Sequence, residues 1–207
     1  MKPIILFFSV AISFGSIFSC TGGNTQVELE KSGIQYSKPQ ASTKLIKGEM
    51  VDYELWVDKD KWEIYDSKDT VFIDFKNMLG RQGTGLSHVL RHNSGESMAI
   101  IQEIRTPTDF EILHKTLSES LSMGKGSIVG EDIRRVNGSD ILYIKWLEDL
   151  GNSKIIWLSY YLSNKTGHIR LAGGTTEDLL AEYETDIIDL LNGLVDSNID
   201  GFVKNHN

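Results

Sequence analysis

The chain has 207 residues, 40% hydrophobic and 24% charged, which is typical of a globular protein and not of a disordered or collagen-like one. Its formal net charge of −8 comes without a basic stripe, which argues against nucleic acid and against an anionic lipid surface as partners of the folded part. The single cysteine excludes an internal disulfide and a multi-cysteine metal site.

The N-terminus has the pattern of a secretory signal peptide. Lys2 supplies a positive charge, and residues 4–18 are uncharged and mostly apolar. This stretch is shorter than the roughly 20 apolar residues that a transmembrane helix needs. The sequence therefore predicts a signal peptide over residues 1–19.

Ile17-Phe18-Ser19-Cys20 resembles a bacterial lipobox, in which a small residue precedes the cysteine. The resemblance implies cleavage before Cys20, diacylglycerol on its sulfur and an acyl chain such as palmitate on its new amine. Each buried acyl methylene contributes about 0.8 kcal/mol of membrane affinity, so two or three chains anchor stably. Cys20 is thus the predicted lipid-attachment site. In some bacteria the residue after the lipidated cysteine directs sorting, and by this resemblance Thr21 implies the outer membrane. The alternative is an ordinary signal peptide followed by an unmodified cysteine.

The mature chain divides into three predicted parts. Residues 20–48 are polar, mixed in charge and contain Pro39, which indicates a lipidated N-terminus followed by a flexible tether. Residues 49–197 form the predicted globular domain, and residues 198–207 form a tail. One domain of this size can bury a full core.

Alternating apolar residues predict strands in the first part of the domain. The predicted strands are residues 52–57, 62–65, 70–75, 87–91 and 97–105, with a turn at residues 93–95. A helix follows Pro107, because Thr108 and Glu111 have capping-box spacing and Gly124 suits a helix end. Its apolar stripe is Phe110, Leu113, Leu117 and Leu121.

A meander of strands follows, with turns at Asn137-Gly138 and at residues 150–153 and 164–167. In the strand over residues 154–163 both faces are apolar, so the sheet needs cover on both sides. One face carries Ile156, Leu158, Tyr160 and Leu162, and the other carries Ile155, Trp157 and Tyr161. The closing helix has a stripe of Leu180, Tyr183, Ile187, Leu191 and Leu194, widened by Ile188 and Leu190. The predicted class is α+β, an antiparallel sheet of about six strands with helices on both faces.

From about residue 52 to residue 195 these patterns occur in a definite order. The order is DYELWVDKDKW, GESMAIIQEI, a helix, RRVNGSDILYIKW, the hairpin WLSYYLSNKTGHIRLAGGT and an amphipathic helix. It resembles the PsbP-like family, which includes extrinsic photosystem PsbP proteins and bacterial DcrB lipoproteins. The resemblance implies an α/β/α sandwich and mostly non-enzymatic roles in scaffolding, assembly or envelope maintenance.

Three short motifs mimic the S-x-x-K, S-D-N and K-T-G elements of penicillin-binding enzymes: Ser122-x-x-Lys125, Ser139-Asp140 and Lys165-Thr166-Gly167. We reject this interpretation because Ser122 falls at a predicted helix C-terminus, Ile141 replaces the asparagine and Lys165 lies at a predicted hairpin tip. Residues 85–89 approach a nucleophile elbow, but Val89 replaces the second glycine, so a surface turn is expected.

His88 and His92 are four residues apart and could share a face, but a metal site needs a third ligand, and nothing in the sequence places His114 or His168 beside them. Solvated or turn histidines are expected instead. Gly173-Gly174 is expected to let a strand bend into the last helix. No catalytic, cofactor-binding or metal-binding residue is predicted.

The predicted protein is a lipid-anchored bacterial envelope protein that acts without catalysis as an accessory or assembly module and binds a protein partner. One alternative is a periplasmic carrier of a small apolar ligand, which requires a cavity lined by Trp146, Trp157 or Tyr160. Another is a hydrolase of envelope polymers that uses Ser122 or His88. Neither a cofactor nor a nucleic-acid partner is predicted.

The lipid prediction is tested by replacing the cysteine. In cells fed an alkyne-labelled palmitate, we expect the wild-type chain to carry label and to sediment with membranes, because its acyl chains partition into the bilayer. Cys20→Ala removes the acceptor sulfur and should abolish both, whereas Ser19→Ala keeps the small residue and should preserve them. A wild-type chain recovered unlabelled and free in solution contradicts the prediction.

Overall fold

The computed structural model describes residues 32–34, 42–123 and 126–198. The strands in them are β1 Ser32–Ile34, β2 Thr43–Lys47, β3 Tyr53–Asp58, β4 Trp62–Tyr65, β5 Leu86–His92, β6 Ser97–Ile104, β7 Gly126–Val136, β8 Ser139–Asp149, β9 Lys154–Asn164, β10 Gly167–Thr176 and β11 Leu194–Asp196. The helices are α1 Thr70–Leu79, α2 Phe110–Met123 and α3 Leu180–Asn192, with short 3-10 turns at Gly80–Gly83 and Glu177–Leu179.

Two sheets build the domain. The larger has eight strands in the order β1-β7-β8-β9-β10-β6-β5-β4, antiparallel except for the β1–β7 pair. The smaller has the order β11-β3-β2 and is antiparallel. The α+β class is confirmed, although the main sheet exceeds the expected six strands and the first strong strand pattern belongs to the second sheet.

Both faces of the main sheet are covered, as predicted from β9. On β9, Ile156 and every second residue after it pack with α3 and the small sheet. Ile155 and the residues of the opposite face pack with α1 and α2. The Asn137-Gly138 turn also forms as predicted, with φ of 49° and 86°.

The strand predicted over residues 70–75 is wrong, because this segment is the first half of α1. Phe72 and Phe75 are buried, whereas Val71 and Ile73 are about half exposed. Burial three residues apart is the helical period, and the segment is short enough to match the strand period as well. Gly80, with a φ of 54°, ends the helix.

Three further boundaries differ from prediction. Ser32–Ile34 pairs with β7 and Thr43–Lys47 pairs with β3, so both belong to the sheets although they fall in the segment predicted as a tether. Leu194 lies in β11 rather than on the last helix. At α2 the Thr108 hydroxyl donates to the Thr106 carbonyl, and the Asp109 carbonyl accepts the first helical hydrogen bond, from Leu113, instead of the expected capping box. Gly124 lies outside the described residues.

Gly173 and Gly174 lie within β10 and do not bend it into α3, contrary to expectation. A Cβ on Gly173 would lie 2.5 Å from Ile187 of α3, and one on Gly174 would lie 2.7 Å from the ring of Trp157. Their missing side chains therefore let α3 approach one face of the sheet and an indole pack on the other.

A buried carboxylate joins the two sheets. Glu103 of β6 is 1% exposed, and its Oε2 accepts hydrogen bonds from the backbone N–H groups of Met50 (2.6 Å) and Val51 (3.1 Å). Its Oε1 accepts from the Tyr53 hydroxyl at 3.1 Å. Burial, and then the charge of Glu103, raise the pKa of the Tyr53 phenol, so the phenol remains a donor. Glu103 thus fixes the β2–β3 loop against the main sheet.

A second buried carboxylate lies on the other face. Glu148 is 7% exposed and accepts a hydrogen bond from Trp157 Nε1 at 3.0 Å. Burial raises its pKa, although this hydrogen bond and Arg170 both act to lower it. The charged form of Glu148 is therefore less stable in the folded protein than in water.

Glu103→Ala should lower the free energy of unfolding by about 3 kcal/mol, because it leaves two buried N–H groups and a hydroxyl without an acceptor. Urea unfolding followed by circular dichroism measures this. Glu49→Ala removes an exposed carboxylate from the adjacent loop and is the matched control. Equal losses in the two variants contradict a linking role for Glu103.

Glu148→Gln should raise the unfolding midpoint at pH 7, because glutamine keeps an acceptor for Trp157 and carries no charge. A carboxyl whose pKa is raised on folding contributes most to stability at low pH and loses that contribution as pH rises through its folded pKa. The advantage of the variant should therefore disappear below about pH 4, where the Glu148 carboxyl is protonated in both the folded and the unfolded chain. Thermal unfolding between pH 3 and 8 tests this, and a pH-independent difference refutes it.

Candidate functional site

The predicted lipid site lies outside the described residues, as does the predicted signal peptide. Cys20, Thr21 and the lipobox therefore stay predictions. Within residues 32–34, 42–123 and 126–198, no helix is long and apolar enough to span a bilayer.

Of the motifs that mimic a penicillin-binding enzyme, the Ser122 backbone and the Lys165-Thr166 turn lie near opposite ends of α2. Lys165 and Thr166 form the β9–β10 turn, and the Thr166 hydroxyl donates to Asn164 Oδ1 at 2.8 Å. α2 begins beside this turn and is 14 residues long, so its two ends are about 20 Å apart at 1.5 Å per residue. Ser122 is near its far end, the side chain of Ser122 is not described, and Lys125 lies outside the described residues.

Gly85 lies in the turn before β5, but residues 86–89 begin the strand and are not the expected surface turn. Ser87 is buried, and its hydroxyl donates to the Ile101 carbonyl at 3.4 Å. The chain continues as a strand after it, so no strand-to-helix elbow forms here.

The histidines are separated in space. Four residues along a strand span about 13 Å, so His88 and His92 cannot share a metal ion. His114 lies 2.7 Å from Glu131, and His168 lies 2.8 Å from the Thr106 carbonyl. Burial lowers the pKa of His88. The described part of the chain contains no group of three or more His, Cys, Asp or Glu side chains that could hold a metal.

The aromatic residues proposed to line a cavity lie on different faces. Trp146 and Trp157 stack with ring centroids 5.9 Å apart on the side of α1 and α2, and each is 7% exposed. Tyr160 is fully buried on the side of α3. The three side chains therefore do not surround one space.

An open pocket of about 630 Å³ lies where α2 begins beside the β9–β10 turn. Its lining residues are Pro107, Thr108, Asp109, Ile112, Ser163, Asn164 and Lys165. Ile112 is 58% exposed, more than Val129 at 52% or Val71 and Ile73 at 46% each. Asp109 belongs to the α2 side and Lys165 to the turn, so opposite charges come from the two walls.

Hydrogen bonds hold both walls in place. Ser163 Oγ donates to the Thr108 carbonyl at 2.6 Å and accepts from its N–H at 3.2 Å. Asn164 Nδ2 donates to the Asp52 carbonyl at 2.8 Å and to Asp196 Oδ1 at 3.1 Å. The pocket therefore rests on groups that are already paired within the fold.

A second cluster, missed in the sequence, lies at the other end of the sheet. His92 Nδ1 is 2.8 Å from Ser94 Oγ, and its Nε2 is 3.2 Å from Asp186 Oδ2. Lys61 donates to Asp186 Oδ1 at 2.6 Å. The His-x-Ser spacing is visible in the chain, but Asp186 lies 94 residues from His92, and no local signal joins them.

No protein-family model matches the chain, and no curated protein matches it significantly. Among solved structures, PsbP (CyanoP) of Synechocystis sp. PCC 6803 is 14% identical, with a TM-score of 0.50 over 84% of this chain and 97% of that one. LpqN of Mycobacterium tuberculosis, described as involved in cell envelope biogenesis, is 8% identical, with a TM-score of 0.43 over 80% and 88%. PA94 of Pseudomonas aeruginosa, a protein of unknown function, is 8% identical, with a TM-score of 0.44 over 75% and 97%. The likeness to CyanoP over most of both chains agrees with the resemblance found in the sequence and shows that this chain has a PsbP-like fold.

Proposed function

We propose that this protein is a lipid-anchored accessory of the bacterial envelope, held at the outer membrane by Cys20, that acts by binding a protein partner at the pocket beside the start of α2. The observation that carries the proposal is Ile112, a large apolar side chain 58% exposed within an open pocket. Burying such a side chain against a partner contributes about 1.5–3 kcal/mol.

The charges of the pocket favour a polypeptide over an apolar small molecule. Asp109 and Lys165 offer one acidic and one basic contact on either side of Ile112. An apolar side chain of a partner segment can pack on Ile112 while its polar backbone and charged neighbours meet these walls. An apolar ligand would leave both charges without a counterpart.

The fixed walls add to this argument. Because the Ser163 and Asn164 side chains are held by hydrogen bonds within the fold, binding needs little reordering of them. Preorganisation of this kind reduces the entropic cost of association. Attachment through Cys20 also raises the effective concentration of the domain near a membrane partner, so that a modest pocket suffices.

Site-specific photo-crosslinking in cells tests the proposal. With benzoylphenylalanine in place of Glu111, which is exposed on α2 next to Ile112 and does not line the pocket, we expect a discrete protein adduct. Adding Ile112→Ser should reduce the adduct roughly tenfold, since a loss of about 1.4 kcal/mol is a factor of ten in affinity.

Val129→Ser is the matched control, because Val129 is 52% exposed on β7 and does not line the pocket. It should leave the adduct unchanged. An adduct equally sensitive to both substitutions, or no adduct above background, overturns the proposed binding site.

A further inference from the structure

The Ser94, His92, Asp186 and Lys61 cluster lies outside the proposed pocket, at the opposite end of β6. Asp186 is 26% exposed. Burial acts to raise its pKa, but the hydrogen bond and charge of Lys61, with a contribution from His92, hold that pKa below its usual value. Asp186 is therefore ionised at neutral pH and can only accept a hydrogen bond from His92 Nε2–H.

This fixes the tautomer of the imidazole. When Nε2 carries the proton toward Asp186, Nδ1 is left with a lone pair. The Ser94 hydroxyl, 2.8 Å away, then donates to Nδ1, which also accepts a longer hydrogen bond from the Ser94 N–H at 3.3 Å. The result is a continuous chain of hydrogen bonds from a serine hydroxyl through a histidine to a carboxylate.

The imidazole is held firmly in this position. Its ring lies edge-to-face between Trp62 and Tyr183, with centroid distances of 5.2 and 5.1 Å. Trp62 is the cross-strand neighbour of His92 on β4, and Tyr183 comes from α3. Three elements therefore orient the base before any reaction begins.

The serine faces solvent, where an electrophile can reach it. Ser94 lies in the exposed β5–β6 turn, and the Glu96 N–H donates to its Oγ at 3.2 Å. A Cβ on Gly95 would lie 2.8 Å from the Arg91 guanidinium, so a cation sits beside the turn. The Glu96 N–H orients the Ser94 oxygen, and the positive charge of Arg91 favours the negative charge that develops on the carbonyl oxygen of an attacked ester.

We propose that Ser94 is a base-activated nucleophile and a site of covalent acylation by activated esters. Its Oγ attacks the carbonyl carbon of the ester while His92 Nδ1 takes the hydroxyl proton. Asp186 is the positioning residue that holds the resulting imidazolium. The tetrahedral intermediate collapses by breaking the bond to the leaving oxygen. That oxygen takes the proton from the imidazolium and leaves as an alcohol, or it leaves as an anion and the imidazolium gives its proton to water.

The same geometry favours a lasting modification over rapid turnover. The Gly95 N–H already donates to the His92 carbonyl at 2.8 Å, so it stabilises neither the acylation nor the hydrolysis intermediate. An activated ester brings its own good leaving group and can react without that support, whereas hydrolysis of the acyl-serine has to expel the serine oxygen. This site is an addition to the proposed partner binding and does not depend on it.

Acetylation by p-nitrophenyl acetate, followed by peptide mapping, tests the inference. The internal standard is Ser67, an exposed turn serine in the same chain. General-base assistance predicts that Ser94 is acetylated roughly 100-fold faster than Ser67. His92→Gln should bring the ratio of the two rates close to one, and Asp186→Asn should lower it about tenfold or more.

Because both serines are measured in one molecule, a general loosening of the fold does not by itself produce the selective slowing of Ser94. Ser94→Ala should remove the fast phase of p-nitrophenolate release, and Ser67→Ala should leave it intact. Acetylation of Ser94 no faster than that of Ser67, or a Ser94 rate unchanged by His92→Gln, overturns the inference.

Discussion

The buried carboxylate of Glu103 is the contact on which the arrangement of the two sheets depends. It accepts hydrogen bonds from the N–H groups of Met50 and Val51. In the next residue, Asp52, the carbonyl accepts a hydrogen bond from Asn164, and the N–H donates to the Thr166 hydroxyl at 2.8 Å. The β2–β3 loop is therefore held on one side by β6 and on the other by the β9–β10 turn. Through this chain of hydrogen bonds an acid on one strand sets the position of a wall of the proposed binding pocket.

Close backbone packing completes this junction. A Cβ on Gly167 would lie 2.2 Å from the Ile104 carbonyl and 2.9 Å from Val51, and its φ is 154°. A Cβ on Gly85, whose φ is 76°, would lie 2.4 Å from the Glu103 carbonyl. Gly167 lets the β9–β10 turn and Val51 approach β6 closely enough for Glu103 to reach its donors, and Gly85 lets the turn before β5 lie against the Glu103 backbone.

The two proposed sites lie at opposite ends of the main sheet and have different physical characters. The pocket beside α2 combines an exposed isoleucine with opposite charges on hydrogen-bonded walls, which suits reversible recognition of a polypeptide. The Ser94 cluster combines a clamped imidazole with an accessible hydroxyl, which suits a covalent reaction. The two sites lie at opposite ends of β6. A substitution in one site therefore leaves the other in place as a check that the protein is still folded.

The sequence by itself determined the α+β class, most strands, the Asn137-Gly138 turn and both apolar faces of β9, because each rests on local period or local turn chemistry. It mistook the start of α1 for a strand, since a short apolar run fits both periods until Phe72 and Phe75 find a surface to pack on. Only the tertiary structure decided the second sheet, the role of Glu103, the pocket and the pairing of His92 with Asp186. Those features join residues far apart in the chain, and no local preference records which distant partner a buried acid or an imidazole will meet.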